Sequence, residues 1–424
     1  MRKLKDSGIE WIGKIPENWK VQRAKTLFSQ RLTKGNQDIT LLAATQKYGM
    51  LPQSEVEGVV QVKENADLQQ FRTVHKDDYV ISLRSFQGGF EFSQYEGVCS
   101  PAYQVFYNIK PVCHPYYRLM FKSDGFIKKM NSLTVGIRDG KNIQYDDFAN
   151  SLIPVPPLDE QEHIASYLDR KCSQIDAIIA RQQEVIEKLK AYKLSVITEA
   201  VTRGLDPNVP MKDSGVEWIE EIPEKWQKAK LKNTCQFING DRSSNYPSSN
   251  DYVDKGIPFL GADSLCGRYV DITLSKKITN EKYRSMGGAK IQKGDILYTL
   301  RGSTIGKNAM AMFDDGTVAS SLMVIRPISL LPEFLLYWLN SEEEFQQRQS
   351  YINGSTAPNL SAENVGAFIL FLPPTVEQMK IANFLDKKCN EIELAIQKKQ
   401  IMIEKLSAYK KSLIYEVVTG KKEV

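Results

Sequence analysis

The sequence lacks several features that would mark particular classes of protein. It has no uninterrupted apolar run of about 18 residues, the length that predicts a membrane-spanning helix. Its N-terminal segment Met1–Ser7 has no apolar stretch like that of a secretory signal peptide, so we expect a cytoplasmic protein with no membrane partner. The six cysteines include no CxxC pair, which argues against a zinc site or a disulfide framework. We therefore expect reduced thiols and no bound metal.

The sequence also lacks a large net charge and the motifs of common enzymes. A net charge of +5 permits nucleic-acid binding without requiring it, because basic residues can cluster on one face. The three histidines, His75, His114 and His163, occur in no HExxH or catalytic-triad context. The Gly–Lys loops at residues 136–141 and 302–307 are each one residue shorter than a P-loop, and neither has Ser or Thr after the lysine. No catalytic residue is predicted.

What the chain does contain is an internal repeat. The segment Asp6–Ile12 recurs as Asp213–Ile219, and each copy continues through Ile-Pro-Glu to a further tryptophan, Trp19 or Trp226. The stretches between the repeated blocks barely resemble each other, so the sequence indicates one scaffold used twice with two different inserts. The tryptophans belong to the repeated part, and we expect them to pack against the scaffold rather than to stack on bases.

A longer repeated block begins at Pro156 and again at Pro373, and it has the apolar spacing of a long helix. In each copy the apolar residues alternate spacings of four and three over about five heptads, which predicts a coiled-coil seam. The predicted seam residues are Leu168, Ile175, Ile179, Ile186, Leu189, Val196, Leu385, Ile392, Ile396, Ile403, Leu406 and Leu413. Polar residues interrupt the seam at the same two places in both copies, at Gln182 and Lys193 and at Lys399 and Lys410. A polar residue in an apolar seam fixes the register at some cost in stability.

Two helices with the same seam in one chain can pair with each other. We predict an antiparallel pair within the chain, which places the two globular domains at opposite ends, related by a pseudo-two-fold axis. Two alternatives remain open: each helix packs on its own domain, or the helices pair between chains. The distance between spin labels at Glu184 and Glu404 distinguishes these arrangements.

The predicted fold class is α+β, with two mixed α/β, β-rich domains separated by the long antiparallel two-helix coiled coil. Runs rich in β-branched and aromatic residues predict strands at Asp78–Leu83 and Asp295–Leu300. Helices are predicted over Tyr116–Met130 and Pro332–Arg348. The predicted segments are 1–155 (first domain), 156–205 (central helix), 206–372 (second domain) and 373–424 (C-terminal helix).

Polar, glycine-bearing loops occur at matched places in the two inserts. Arg, Lys, Asn, Gln, Ser and Thr side chains on loops are those that read base edges and hold phosphates. The candidate DNA-contacting residues are Arg84, Ser85, Gln87, Arg138, Lys141, Asn142, Gln144, Arg242, Ser243, Arg301, Ser303, Thr304, Lys307 and Asn359. A single loop arginine is most often only solvated, but recurrence at matched places strengthens the prediction for the loops as sets.

Together these motifs resemble the specificity subunit of a type I restriction–modification system, over essentially the whole chain. The resemblance rests on the Asp-Ser-Gly-x-Glu-Trp-Ile openings and on the Pro-Pro-x-x-Glu-Gln entries to the helices at 156–165 and 373–382. It also rests on the matching helix tails at 187–193 and 404–410 and on the strand and loop Gly294–Lys307. The first insert departs from this last pattern after its arginine, so its residues are matched less directly.

The resemblance implies a non-catalytic DNA-binding subunit with two target-recognition domains, each reading one half of a split, asymmetric site. It implies that the paired helices set the gap between the half-sites and dock two methyltransferase subunits. Restriction (translocase) subunits join in the full complex. S-adenosylmethionine, ATP and Mg²⁺ would be bound by those partners and none of them by this chain.

Two other classes of protein remain as alternatives. A fused methyltransferase or nuclease would carry a glycine-rich S-adenosylmethionine motif and an Asn/Asp-Pro-Pro-Tyr/Phe motif, whereas the Pro-Pro pairs here open helices. Methyl transfer or cleavage by the purified chain alone would support that reading. An interaction scaffold without DNA specificity is the second alternative, and binding that favours no sequence even at raised salt would support it.

Overall fold

A computed structural model describes residues 2–35, 39–56, 68–82, 89–133, 143–216, 218–352 and 359–424. The chain forms two compact units: unit 1 comprises Met1–Gln183 and Gln400–Val424, and unit 2 comprises Glu184–Lys399. Two long helices, α4 (Leu158–Arg203) and α9 (Thr375–Val418), each contribute one half to each unit. None of the helices in the described ranges is long and apolar enough to cross a membrane.

The described residues of unit 1 form short strands and three short α-helices besides their share of the long helices. Its strands are β1 (Leu4–Asp6), β2 (Lys14–Pro16), β3 (Lys20–Arg23), β4 (Phe28–Arg31), β5 (Leu42–Thr45), β6 (Gly49–Pro52), β7 (Arg72–Val74), β8 (Tyr79–Ile81), β9 (Phe90–Phe92), β10 (Gly97–Cys99), β11 (Gln104–Asn108) and β12 (Leu152–Val155). Its short helices are α1 (His114–Phe121), α2 (Asp124–Leu133) and α3 (Tyr145–Asn150).

The central sheet of unit 1 has the order β4-β11-β8-β9, with every neighbouring pair antiparallel. One face is covered by an aromatic cluster in which Phe28 packs edge-on against Phe106 and Tyr79 stacks on the same ring. All three side chains are buried. Because the strands alternate in direction, the ends of β4 and β8 and the starts of β11 and β9 lie at one end of the sheet.

Unit 2 has the same plan with a larger insert. Its strands are β13 (Met211–Val216), β14 (Ile219–Pro223), β15 (Gln227–Lys230), β16 (Cys235–Asn239), β17 (Tyr252–Leu260), β18 (Lys276–Ile278), β19 (Ile296–Thr299), β20 (Asn308–Met310), β21 (Thr317–Val318), β22 (Leu322–Pro327) and β23 (Ile369–Leu372). Its short helices are α5 (Asn280–Ser285), α6 (Pro332–Trp338), α7 (Glu342–Tyr351) and α8 (Ala362–Gly366). The sheet β16-β22-β19-β20 matches that of unit 1 strand for strand, and a further sheet β18-β17-β21 belongs to unit 2.

The strand predictions agree with the structure, whereas the two helix predictions do not. β8 and β19 lie within the predicted strands. The single helices predicted over Tyr116–Met130 and Pro332–Arg348 are each two helices, separated at Ser123 and Ser341. Each serine hydroxyl donates to a carbonyl of the preceding helix, Met120 O or Trp338 O, at 2.7 Å. Serine competes with the helix backbone in this way, and the next helix begins at the following residue.

The repeated tryptophans mostly pack into the cores, as predicted. Trp19 and Trp226 are fully buried. Trp11 is partly buried against Phe126, with ring centroids 6.1 Å apart. Trp218 is the exception, because 51% of its surface remains exposed.

The predicted antiparallel helix pair is confirmed within each unit. In unit 1 the first half of α4 shares a hydrophobic core with the last part of α9, which supplies Leu413 and Val417. In unit 2 the last part of α4, through Ile197 and Val201, shares a core with the first part of α9. Each half of the pair also packs on the globular part of its unit, so the alternative that a helix packs on its own domain describes a second set of contacts rather than a competing arrangement.

One of the two polar interruptions forms an ion pair across the seam in both units. In unit 1 the Lys410 ammonium contacts both carboxylate oxygens of Asp176, at 2.6 and 2.7 Å. In unit 2 the Lys193 ammonium contacts Glu393 at 2.5 Å. Asp176 and Glu393 occupy the same position in the repeat, and so do Lys193 and Lys410. Lysine in the seam is therefore matched by an acid on the opposing helix, as a register-fixing role requires.

The seam residues are buried or partly buried, and a neighbouring apolar row is exposed. Leu168, Ile175, Ile186, Leu385, Ile392 and Leu413 are buried, and Ile179, Leu189, Val196, Ile396, Ile403 and Leu406 are partly buried. Outside the seam, Ile178, Met402 and Tyr409 are exposed in unit 1, and Tyr192 and Leu394 are exposed in unit 2. The helices thus keep apolar surface that their own unit does not cover.

Candidate nucleic-acid interface

The polar loop between β19 and β20 projects from the end of the central sheet of unit 2. Arg301, Ser303 and Thr304 are exposed. The loop is closed by hydrogen bonds from Gly306 N to Thr299 O and from Lys307 N to Thr304 O, both at 2.9 Å. Two glycines with positive φ, at 84° for residue 302 and 86° for residue 306, allow these turns. The sequence thus builds a closed turn that presents three polar side chains to solvent.

Arg301 and Asn359, predicted separately, are neighbours in the structure. The Arg301 Nε donates to Asn359 Oδ1 at 3.1 Å, and the two residues form an isolated antiparallel bridge. The adjacent Leu360 N donates to Leu300 O at 2.9 Å. Guanidinium and amide groups are the side chains that bind guanine and adenine edges, respectively, in a bidentate manner. This pair holds one of each side by side on the surface.

The loop after β16 meets the same end of the sheet. Arg242 and Ser243 are exposed there, and Arg242 donates to Ser320 O at 3.4 Å. Leu300, which precedes the β19–β20 loop, donates to the neighbouring Ser321 O at 2.8 Å. The turn before β22 therefore contacts both polar loops. Two of the predicted loops of unit 2 therefore converge at one end of the sheet, which the sequence alone did not establish.

The acid Asp241 holds the loop after β16 in shape. Its carboxylate accepts from Ser243 N at 2.7 Å and from Gly287 N at 2.8 Å. Hydrogen bonds from Ser243 and Gly287 lower the pKa of Asp241, so it stays ionised at neutral pH. A fixed carboxylate beside exposed Arg242 therefore orders the loop.

Lys307 has a different environment from the other candidates. Its ammonium is partly buried and donates to Ala262 O at 3.0 Å. It lines a cavity of about 1090 Å³ together with Arg268 and Tyr337. In this position Lys307 ties the β19–β20 loop to a neighbouring loop of the insert, a structural contact that its place in a P-loop-like sequence did not indicate.

The candidates of unit 1 fall mainly outside the described residues. Those residues are Arg84, Ser85, Gln87, Arg138, Lys141 and Asn142. Gln144 lies within the described residues, is exposed and immediately precedes α3. Its backbone N–H donates to the Asp147 carboxylate at 3.2 Å. At the corresponding sheet edge, Gln30 Nε2 donates to Gln104 Oε1 at 2.7 Å.

Sequence reasoning did not find the ion pairs inside the two central sheets. Asp78 and Asp295 occupy matched positions and are 2% and 1% exposed. Arg31 from β4 binds Asp78 with two hydrogen bonds of 2.6 and 2.9 Å. Arg326 from β22 binds Asp295 with two of 2.8 and 2.7 Å. The acid is the same in both units, but the cation comes from different strands.

The sheet register explains this difference. Val105 and Val324 occupy equivalent positions in the two sheets. Arg31 lies opposite Val105 and Ile238 lies opposite Val324, so Arg31 and Ile238 are equivalent. By the same register Tyr107 is equivalent to Arg326, and the Arg31 guanidinium lies 4.5 Å from the Tyr107 ring centroid. The buried carboxylate is thus neutralised by an internal cation in both units, and neither arginine is among the candidate residues predicted on the loops.

A third unpredicted arginine, Arg268, joins the insert of unit 2 to α9. Arg268 contacts Asp386, and it donates to the Tyr337 hydroxyl at 2.8 Å while Tyr337 donates to Asp386 at 2.7 Å. Burial, followed by the hydrogen bond to Asp386, raises the pKa of Tyr337. Arg268 lies in a variable loop with no distinctive motif, so no sequence signal marked it.

Comparison with known proteins assigns the family. The family model described as the type I restriction modification DNA specificity domain matches residues 16–188 and again residues 223–405. The type I restriction enzyme EcoBI specificity subunit of Escherichia coli is 29% identical over 228 residues, which are 51% of this chain and 47% of that protein. The chain therefore matches about half the length of that relative. The putative type I restriction enzyme MjaX specificity subunit of Methanocaldococcus jannaschii is 25% identical over 97% of this chain and 95% of that protein.

Solved structures show the same fold. A chain from a study of complex assembly and conformational transition of the type I R-M system aligns with a TM-score of 0.75 at 16% identity, covering 96% of this chain and 99% of that one. The HsdS subunit from Thermoanaerobacter tengcongensis aligns with a TM-score of 0.54 at 16% identity, covering 96% and 98%. Since the family model spans more than half of the sequence in two copies, this chain belongs to the type I restriction modification DNA specificity family.

Proposed function

We propose that this chain is the sequence-reading subunit of a type I restriction–modification complex, with one half of a split DNA site read by each unit. The observation that carries the proposal is the convergence of Arg301, Asn359, Arg242 and Ser243 at one end of the central sheet of unit 2. Unit 1 has the same sheet order, so the equivalent edge faces the other half-site. Because the inserts differ, the two half-sites differ in sequence.

The experiment replaces Arg301 by alanine and measures duplex binding. The target is obtained by mapping methylated adenines in the host genome. Loss of a bidentate guanine contact weakens cognate binding by about 1–3 kcal/mol and relaxes specificity at one position of one half-site only. Lys232→Ala is the matched control, because Lys232 is exposed near the start of β16, at the far end of the same sheet.

Two outcomes would contradict the assignment of Arg301 as a base-reading residue. Equal loss on every duplex, with a salt dependence reduced by about one ion, marks a phosphate contact instead. Equal loss for Arg301→Ala and Lys232→Ala would show that the sheet edge has no special role. Binding that favours no sequence in the unmodified protein would support a scaffold without DNA specificity.

The helices supply the second part of the proposed function. The 46 residues of α4 span about 69 Å at ~1.5 Å per residue, more than the ~34–36 Å between major-groove segments on one face of DNA. A helix pair of this length is suited to set the gap between half-sites. The S-adenosylmethionine, ATP and Mg²⁺ chemistry belongs to partner subunits in the cytoplasm, and the chain alone carries out neither methyl transfer nor cleavage.

The exposed apolar row on the helices supports a docking surface for two methyltransferase subunits. Tyr192 and Tyr409 occupy the same position in the repeat and are both about half exposed. Large aromatic side chains of this kind anchor protein interfaces. We expect Tyr192→Ala and Tyr409→Ala each to remove one of the two subunits, measured as the mass of the assembled complex. A complex of unchanged mass in both variants would contradict the docking surface.

A further inference from the structure

The packing around the first tryptophan of the repeated motif differs between the two units. In unit 1 the ring of Trp11 packs over Gly125 and beside Tyr415, whose hydroxyl donates to Trp11 O at 2.6 Å. A Cβ on Gly125 would lie 2.5 Å from the Trp11 ring and 2.8 Å from the Tyr415 ring. These contacts leave no space at this point of unit 1 for a larger residue.

In unit 2 the same positions carry different residues and the packing is open. Thr198 stands at the repeat position of Tyr415, and Glu343, the second residue of α7, stands at that of Gly125 in α2. The indole of Trp218, the counterpart of Trp11, is 51% exposed. A crevice of about 660 Å³ results, with Leu194 and Ile219 in its apolar wall. We refer to it as the Glu343 crevice.

The Glu343 crevice is strongly acidic. Among the described residues that line it, Arg203 is the one cation, whereas the acids are Glu199, Glu220, Glu221, Glu342 and Glu343. The Glu343 side chain lies in the crevice at 8% exposure, and its Oε2 is buried without a hydrogen-bond partner. A buried, unpartnered carboxylate oxygen is costly unless a group outside the unit completes it.

The surroundings of Glu343 indicate which chemical group fits the crevice. Burial raises the pKa of Glu343 to about 7, although a hydrogen bond from the Trp218 side chain favours the charged form, because no cation neutralises the carboxylate. The half-exposed Trp218 indole offers a π face of the kind that attracts alkylammonium and guanidinium groups. No group of three or more His, Cys, Asp or Glu within the described ranges is placed to hold a metal ion, so an organic cation fits better.

We infer that the Glu343 crevice is a binding site for an alkylammonium or guanidinium group, present in unit 2 and closed in unit 1. The cation is supplied either by a lysine or arginine side chain of a partner subunit or by a free small amine. The inference does not depend on DNA reading, because the crevice involves none of the residues proposed to contact bases. It gives the two units unequal surfaces despite their shared scaffold.

The first experiment uses the full chain and two small probes, n-butylammonium and methylguanidinium, at constant ionic strength. Binding is followed by calorimetry and by tryptophan fluorescence, since Trp218 is the exposed indole beside the crevice. We expect saturable binding that weakens by about tenfold or more in Glu343→Gln. Binding tightens from about pH 6 to about pH 8 in the unmodified chain and not in this variant.

Matched variants separate the crevice from general electrostatics. Glu281→Gln removes an exposed glutamate on α5 outside the crevice and leaves probe binding unchanged. Thr198→Tyr combined with Glu343→Gly installs the residues of unit 1 and abolishes binding by closing the crevice. Absence of saturable binding, or equal binding by the unmodified chain and Glu343→Gln, overturns the inference.

A second arm distinguishes the two sources of the cation. If a partner side chain supplies it, Glu343→Gln weakens association with the methyltransferase subunit and n-butylammonium competes with that association. If a free amine is the ligand, the probes bind while subunit association is unchanged in the variant. Either result supports the site, whereas loss of association without any probe binding in the unmodified chain contradicts it.

Discussion

Replacing Arg326 by methionine would leave the buried carboxylate of Asp295 without its cation. Asp295 is 1% exposed and is bound by Arg326 through two hydrogen bonds. Removing one partner of a buried ion pair costs about 3–5 kcal/mol. We expect about 3 kcal/mol, because the arginine side chain keeps 22% of its surface in solvent and Asp295 still accepts from Gln292 N at 2.8 Å.

The arrangement in unit 1 suggests a double variant that restores a cation to Asp295. Ile238 occupies the sheet position of Arg31, and Arg326 occupies that of Tyr107. The double variant Ile238→Arg and Arg326→Tyr therefore moves the arrangement of unit 1 into unit 2, with the cation entering from β16. We expect it to recover at least about 1.5 kcal/mol of the loss, since the carboxylate regains a bidentate partner.

Native-state hydrogen exchange measures the loss in the single variant and the recovery in the double variant, each against a reference within the same sample. A single unfolding midpoint is unsuitable for a chain with two compact units. The opening free energies of amides in β19 and β22 report on unit 2, and those in β8 and β11 of unit 1 provide an internal reference. A loss below about 1 kcal/mol in Arg326→Met, or a double variant no more stable than the single one, would refute the reasoning.

Two further predictions concern unit 2 and the helices. Burial raises the pKa of Glu343 from 4.5 to about 7, so the folded chain loses stability as this carboxyl ionises between those values. Glu343→Gln should thus stabilise unit 2 by about 1–2 kcal/mol above about pH 7 and have little effect below about pH 4.5. The same difference in unfolding free energy between variant and unmodified chain at both pH values would contradict this. Deleting one heptad from both α4 and α9 should change the tolerated gap between half-sites without changing their sequences, as read from the methylated sites, and an unchanged gap would exclude a spacing role.

The long helices could be predicted from sequence because their signal is local and repeated. A seam of apolar residues at alternating spacings of four and three determines both a helix and its buried face. The repetition of Lys193 as Lys410 indicated a register device, and the acidic partners Asp176 and Glu393 became evident only when the helices were paired. Antiparallel pairing followed from having two equal seams in one chain.

The insert contacts could not be predicted, because they join residues that are distant in sequence. Arg301 and Asn359 are 58 residues apart and meet only through an isolated bridge beside the β19–β20 loop. The buried carboxylate is bound by Arg31 in unit 1 and by Arg326 in unit 2. This difference depends on the sheet register, which no single-sequence pattern encodes. Exposure of Trp218 was likewise unexpected, since it depends on residues in α4 and α7 rather than on its own motif.

The matched ion pairs of the seam have a consequence for the ancestry of the chain. Asp176 and Lys193 lie in the first half, and their repeat counterparts Glu393 and Lys410 lie in the second. Each half thus carries one acid and one base in complementary places, and the observed contacts join the acid of one half to the base of the other. A dimer of a half-length ancestor would form the same two contacts between its two copies. Duplication and fusion of such a gene would therefore require no new charge in the seam. The two inserts could then diverge separately.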